Sequence, residues 1–396
     1  MGPAAGRRAA SWGLLGGLAV LAAAQPLGCA TEPAPEDDPR VAEVLAAVGP
    51  EVVLPALAAV HEDAVAAEQA MIAWEAAIGT EDEAAEKALA VEAFRAVVRS
   101  WQVVEVMQIG PLASSATAVA GGDGRDRIYS WPLTNPCRVD QETGRQAYAA
   151  DGWADAALVN VLGLDALEHL LFAGPDNVCP GQVDINEDGL WDALGEEGVR
   201  QARAEYAVVL TGALVADLEA QQAAWEAFGP KLAAAGDGSP YETQIDGLNA
   251  VFDALFYLET RSKDLKLAVP LGLRDCAEPV CPEEVEHVPS GESLVALEAN
   301  LDGFEQLFTG GDGPGLDDLL RERGHTDLAD QVLADLDNAR SELEALGVPV
   351  DAGVVDDPDQ ALAAHDAIKQ IADDLKGDIA TVLSMQIPAE AAGDAD

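Results

Sequence analysis

The sequence predicts an all-α protein built as two four-helix bundles, and three observations predict it. Apolar residues recur at helical spacing through long runs rich in Ala, Leu, Glu and Gln, which favour helices. Aromatics are only 5% of the chain, which disfavours a strand-based core. At 396 residues the chain exceeds what one hydrophobic core normally serves, and a Gly, Ser and Pro cluster at 236–240 divides the helical runs into two sets.

Residues 1–28 read as a lipoprotein signal peptide. Arg7 and Arg8 give a basic start, an apolar stretch from Trp12 to Ala24 is too short to span a bilayer, and Leu27-Gly28-Cys29 follows at once. Cys29 is therefore the expected lipidation site. Pro26 stands where such signals usually carry Leu, so plain secretion with a free Cys29 stays open as the alternative. Both readings put the mature chain outside the cytoplasm, in the periplasm or on the outer surface, with lipid as its only membrane attachment. Residues 29–40 form a polar, Pro-rich tether.

The first bundle, residues 41–235, opens with a helix expected over 52–78, closed by Gly79, with Thr80 capping the next. That next helix, 81–109, starts on acids and ends at Gly110-Pro111. Periodicity fails over 112–151, where a Trp-Pro loop (IYSWPLTNPC) is expected to be functional, because compact domains seldom retain long irregular inserts otherwise. Helices over 153–172 and 194–235 complete the bundle. The second bundle, residues 241–388, is expected to use helices over 241–267, 293–308, 316–346 and 359–383. GLDALEHLLFAG at 163–174 is echoed by NLDGFEQLFTGG at 300–311, which suggests an internal duplication.

Setting Cys29 aside leaves Cys137, Cys179, Cys276 and Cys281, an even number suited to an oxidising compartment. Of the three connectivities, one bridge in each half is expected, Cys137–Cys179 and Cys276–Cys281.

Charge narrows the partners. With 71 acidic against 22 basic residues and a formal net charge of -49, the chain lacks the basic surface that phosphate backbones require, so nucleic acid is excluded as a partner. Most of the acid is expected to be a solvated coat, with local cation sites within it.

One such site is expected at Asp165, Glu168 and His169. Residues three and four apart share a helical face, so carboxylates and an imidazole can converge on iron or zinc from a bundle interior. The plain alternative is a solvent-facing polar stripe. Glu105, and His61 with Glu62, are further ligand candidates from neighbouring helices, while Arg127 and Asp140 flank the loop around Trp131 and are candidates to orient what binds. A calcium loop is the second candidate: Asp184, Asn186, Asp188 and Asp192 follow the D-x-N-x-D-G opening, although the twelfth position is Gly195 where a bidentate Glu belongs.

YSWPLTNPCRVDQ at 129–141, GLDALEHLLFAG at 163–174, VPLGL at 269–273 and GDAD at 393–396 together resemble the imelysin family, once grouped with metallopeptidases, over essentially the whole mature chain. The family hallmark G-x-H-x-x-E falls on Gly163, Asp165 and Glu168, with Asp165 standing in place of the histidine. The resemblance implies a helical protein outside the cytoplasm associated with iron uptake. Peptidase chemistry is not expected, because the sequence contains neither H-E-x-x-H nor G-x-S-x-G. The expectation is a metal-binding envelope lipoprotein without catalytic residues. Two alternatives accompany it: an envelope module that binds a protein partner and carries structural calcium, and a metallopeptidase.

Overall fold

Helices form where apolar residues recur at helical spacing, and no strand occurs among the residues described, 38–236 and 238–392 of a computed structural model. The expected signal peptide, Cys29, most of the tether and the closing GDAD lie outside them.

Helix α1 (Pro39–Ala47) is capped by Asp38, whose side chain accepts from the Arg40 amide at 3.0 Å. A π-helical turn, Val48–Val53, carries the chain into α2 (Leu54–Ala77). After the turn at Gly79 comes α3 (Glu83–Glu105), packed along α2.

The irregular stretch expected over 112–151 contains two short helices, α4 (Gly124–Ile128) and α5 (Pro136–Arg145). Asn135 caps the second by accepting from the Arg138 amide at 3.1 Å. The single helix expected over 153–172 is instead two, α6 (Trp153–Ala156) and α7 (Gly163–Phe172), separated by a 3-10 turn. The cause is tertiary. Gly163 sits at φ +73, and a Cβ there would lie 2.4 Å from the Ile128 carbonyl oxygen, so this close approach fixes where α7 starts.

A one-turn helix α8 (Asp184–Glu187) precedes α9 (Leu190–Ala234), which is interrupted at Gly195 (φ +64), so that its long continuous part begins close to the expected start at 194.

In the second half, α10 (Gln244–Leu255) opens with a capping box between Thr243 and Asp246 and leads into a π-helix, Leu258–Ala268. Helix α11 (Ser293–Thr309) follows. The helix expected over 316–346 divides at Gly324 (φ +86) into α12 (Leu316–Glu322) and α13 (Thr326–Leu346). The chain continues through α14 (Val350–Asp356), α15 (Pro358–Asp374), a π-helical segment Leu375–Ile379, and α16 (Ala380–Leu383).

Helices α2, α3, α7 and α9 pack together in the first half; α11, α13, α15 and the π-helix Leu258–Ala268 do so in the second. One hydrophobic core runs through both sets, because α3 also packs on α11. At that crossing a Cβ on Gly303 would lie 2.2 Å from the Val103 carbonyl oxygen, so only glycine lets the two backbones meet. The cysteines pair as expected: Cys137–Cys179 and Cys276–Cys281 have Cα separations of 4.7 and 6.1 Å.

Candidate functional site

Helix α7 turns Leu164, Leu167, Leu170 and Leu171 into the core, and the same helix buries two carboxylates. Asp165 and Glu168 are each only 7% exposed, so the trio is no solvent-facing stripe. Both line a cavity of about 380 Å³ together with Trp131, Pro132, His169 and His287. The docking of Gly163 against Ile128 explains the placement of Asp165. It brings the start of α7 beside Ser130, whose amide donates to Asp165 Oδ2 at 2.7 Å.

Glu168 faces a different partner set. Its Oε1 accepts from His287 Nδ1 at 3.2 Å, from the Ser290 amide at 3.3 Å and from the Ser290 hydroxyl. His287 is buried with backbone φ +57, a left-handed conformation that costs of order 1 kcal/mol for a residue with a side chain. Its Nε2 lies 3.1 Å from the Tyr129 hydroxyl, which donates to Glu286 Oε1 at 2.5 Å. With its own proton committed to Glu286, that hydroxyl can only accept from His287. His287 therefore donates from both nitrogens and is an imidazolium.

The electrostatics agree. Burial pushes the Asp165 carboxyl up to about 7, against the opposing pull of His287 and the Ser130 amide. Burial works against the His287 charge, yet Glu168, Glu286 and Asp165 together raise it to about 9. Burial also opposes the Glu168 charge, but His287 and Ser290 hold this carboxylate below its ordinary range. The site thus holds one ion pair and one carboxyl poised near neutrality.

Behind Glu286 the polar network crosses to the other half. Lys266, on the π-helix Leu258–Ala268 and 2% exposed, lies 2.9 Å from Glu286 Oε2 and donates to Gln102 Oε1 at 2.7 Å and Asn300 Oδ1 at 2.8 Å. Glu105 belongs to this network and is not part of the cavity wall. Its Oε1 accepts from Arg125 Nε and Nη2 at 3.0 and 2.6 Å, and its Oε2 is 3.9 Å from Lys266 Nζ.

His169 reaches the cavity wall but turns its Nε2 to Asp140 Oδ1 at 2.9 Å. Asp140 is placed by the Cys137–Cys179 bridge, since its Oδ2 accepts from the Val178 amide at 2.9 Å next to Cys179. His61 lies elsewhere, 3.6 Å from Glu219, and Glu62 is exposed. Arg127 pairs with Asp217 at 2.9 Å. Trp131 is partly buried and forms one wall of the cavity, its carbonyl held by Arg125 at 3.0 Å.

The calcium-loop residues take a different shape from an open ion-wrapping loop. Asp184 and Asn186 lie on the single turn of α8, where Asp184 pairs with Arg145 and the Asn186 amide donates to Asn177 and to the Cys179 and Pro180 carbonyls. Asp188 and Asp192 are exposed. In the echo of α7, Asp302 and Glu305 on α11 pair with Arg340 at 2.9 and 2.5 Å rather than facing a cavity.

The donor types at the cavity, two carboxylates and two imidazoles, suit iron or zinc. Among the described residues no group of three or more His, Cys, Asp or Glu side chains is arranged to hold a metal ion; His287 is bonded to Glu168 and His169 to Asp140. Spacing on α7 locates Asp165 and Glu168 in the sequence. His287, Glu286, Tyr129 and Lys266 escape sequence reasoning, and the one available signal was that His287 is among only five histidines and lies in a non-periodic polar segment.

An all-helical scaffold with its candidate site between the π-helix Leu258–Ala268, the Trp-Pro loop and the hallmark helix defines an imelysin-like protein. The imelysin (peptidase M75) family profile matches residues 53–376, and the chain belongs to that family. Two solved structures share the fold. An imelysin-like protein from Psychrobacter arcticum 273-4 superposes with a TM-score of 0.69 at 18% identity, covering 88% of this chain and 97% of its own. A protein from Parabacteroides distasonis ATCC 8503, titled a putative iron-regulated protein A precursor, gives 0.64 at 16% identity, covering 90% and 96%. No curated protein matches the chain.

Proposed function

We propose that the chain is an exported, Cys29-anchored envelope protein that binds a metal cation at the Asp165–Glu168 cavity and serves iron handling. One observation carries the reading: two carboxylates are buried on a cavity wall, and one of them is held up to about 7 by that burial. A carboxyl in this condition gains from a cation, because the charge that burial penalises is then compensated. The membership in the imelysin family and the iron-regulated name of one structural neighbour support iron as the metal. The two disulfides support an oxidising compartment.

In this reading Asp165 and Glu168 hold the ion, and His287, once it gives up a proton, is the imidazole within reach of the same wall. His169 stays oriented by Asp140 at the rim. A bound ion supplies positive charge to the cavity, and the residues around it exclude water and fix the carboxylates.

Elemental analysis of protein from its native envelope, beside titration of iron, zinc and calcium into the purified chain, tests the reading. Asp165→Asn and Glu168→Gln are each expected to weaken iron binding at least about tenfold, the loss of roughly one charge-assisted contact. Unchanged affinity in both variants sinks the proposal. Cys29→Ser is expected to move the protein from the membrane fraction to the soluble one.

A further inference from the structure

A second cavity, of about 220 Å³, lies at the far end of α7 and has the opposite charge character. Trp74 on α2, Lys87 on α3, and Arg200 and Arg203 on α9 line it beside the Gly174-Pro175 turn. The chain has 22 basic residues against 71 acidic ones, so three cations around one small cavity need an explanation.

Two of the three are partly committed. Arg200 Nε donates to Glu83 Oε1 at 2.6 Å, and that carboxylate also accepts from the Gly79 amide at 2.8 Å. Arg203, 5% exposed, donates to the carbonyls of Ala173 and Gly174, and its nearest carboxylate, Asp140, is 3.5 Å away and also takes His169. Its buried Nε has no partner.

Lys87 is different. Its ammonium makes no hydrogen bond or ion pair among the described residues and stands 5.5 Å above the Trp74 ring. The Trp74 Nε1 beneath it is likewise buried without a partner. Burial and then the like charge of Arg203 push the Lys87 amine below its ordinary value; Glu83, one turn back on α3 and bound to Arg200, pulls the other way without contacting it, and Arg200 adds to the repulsion. The other acid on the wall, Glu196, is exposed.

We infer that this cavity is an anion site, in which a single phosphate or carboxylate group is held by Lys87 and Arg203, with Arg200 at its mouth. An oxyanion there pairs the free ammonium and offsets the repulsion among three cations. The Trp74 ring below Lys87 makes the cavity floor apolar, which excludes water and strengthens the pairing.

The inference does not depend on metal binding at the first cavity, so the two stand or fall separately. With six lysines in the chain, side-chain NMR of the lysines resolves Lys87, assigned by its loss in Lys87→Gln. Inorganic phosphate and acetate are titrated separately. The Lys87 midpoint is expected to move to higher pH in at least one of them. Calorimetry with that anion is expected to show about a tenfold loss of affinity in Lys87→Gln and in Arg200→Gln, the latter a surface change that keeps the fold. A Lys87 midpoint that neither anion moves, or affinity unchanged in both variants, overturns the site.

Discussion

Glu168 Oε1 and His287 Nδ1 are 3.2 Å apart although 119 residues separate them, and this contact joins the hallmark helix to a segment with no regular structure. It is the charged centre of the first cavity. Because both groups are buried, their protonation is tied to folding.

The metal-free protein is expected to lose stability as pH rises from about 4 to 9. His287, raised from 6.5 to about 9, contributes stability that is fully present below 6.5 and lost as pH climbs through 9. Asp165, raised from 3.8 to about 7, adds to the decline: the folded state keeps a proton that the unfolded chain sheds from about 4, and the cost is complete above 7. Glu168 acts oppositely at the acid end, because a carboxylate held below 4.5 stabilises above that pH and ceases to do so as pH falls through its folded value. Urea titrations at pH 6 and 9 read the slope, and His287→Gln is expected to flatten its upper part. A wild-type stability that rises over this interval contradicts the imidazolium assignment.

Asp165→His restores the hallmark histidine. It replaces an oxygen ligand by a nitrogen ligand, so zinc affinity is expected to rise relative to calcium by about tenfold or more. Competitive titration of the two metals into the variant and the parent measures the ratio. A ratio that stays the same would mean that position 165 does not touch the ion.

Reducing the two disulfides is expected to have unequal effects. The Cys137–Cys179 bridge spans 42 residues and the Cys276–Cys281 bridge only 5, so chain entropy alone assigns about 4 and 2 kcal/mol to them. Double Ser variants of each pair, compared by thermal melting, are expected to show the larger Tm loss for the first. The Asp140–His169 contact should loosen in that variant as well, visible as a displaced His169 ring resonance by NMR.

Lys266→Met should destabilise the protein by about 3–5 kcal/mol, because removing one partner leaves Glu286 buried without its counter-charge. Chemical denaturation of the variant checks this. A loss below about 1 kcal/mol would show that Tyr129 and His287 alone satisfy Glu286.

Much of this was legible from residue spacing. The helical class follows from period and the disulfide pairing from cysteine count, while the spacing on α7 left an inward trio and a solvent-facing stripe both open. The break before Gly163 was not legible, because Gly163 and the π-helix Leu258–Ala268 respond to distant backbone, and spacing along one segment carries no record of it. His287 was invisible for a related reason. It sits at positive φ between helices, where no periodicity marks which side chains turn inward. The expected calcium opening shows the converse: the motif is present in the letters, but Arg145 and Asn177 engage Asp184 and Asn186 instead.

The glycine at 303 sets how the molecule can breathe. With no side chain between α11 and the Val103 carbonyl, the two halves are riveted where α11 meets the C-terminal end of α3, and prising them apart would expose a shared core. A change in the shape of the cavity that Glu168 shares with Trp131 and Pro132 is then expected to come from movement of that loop rather than from hinge motion between the bundles.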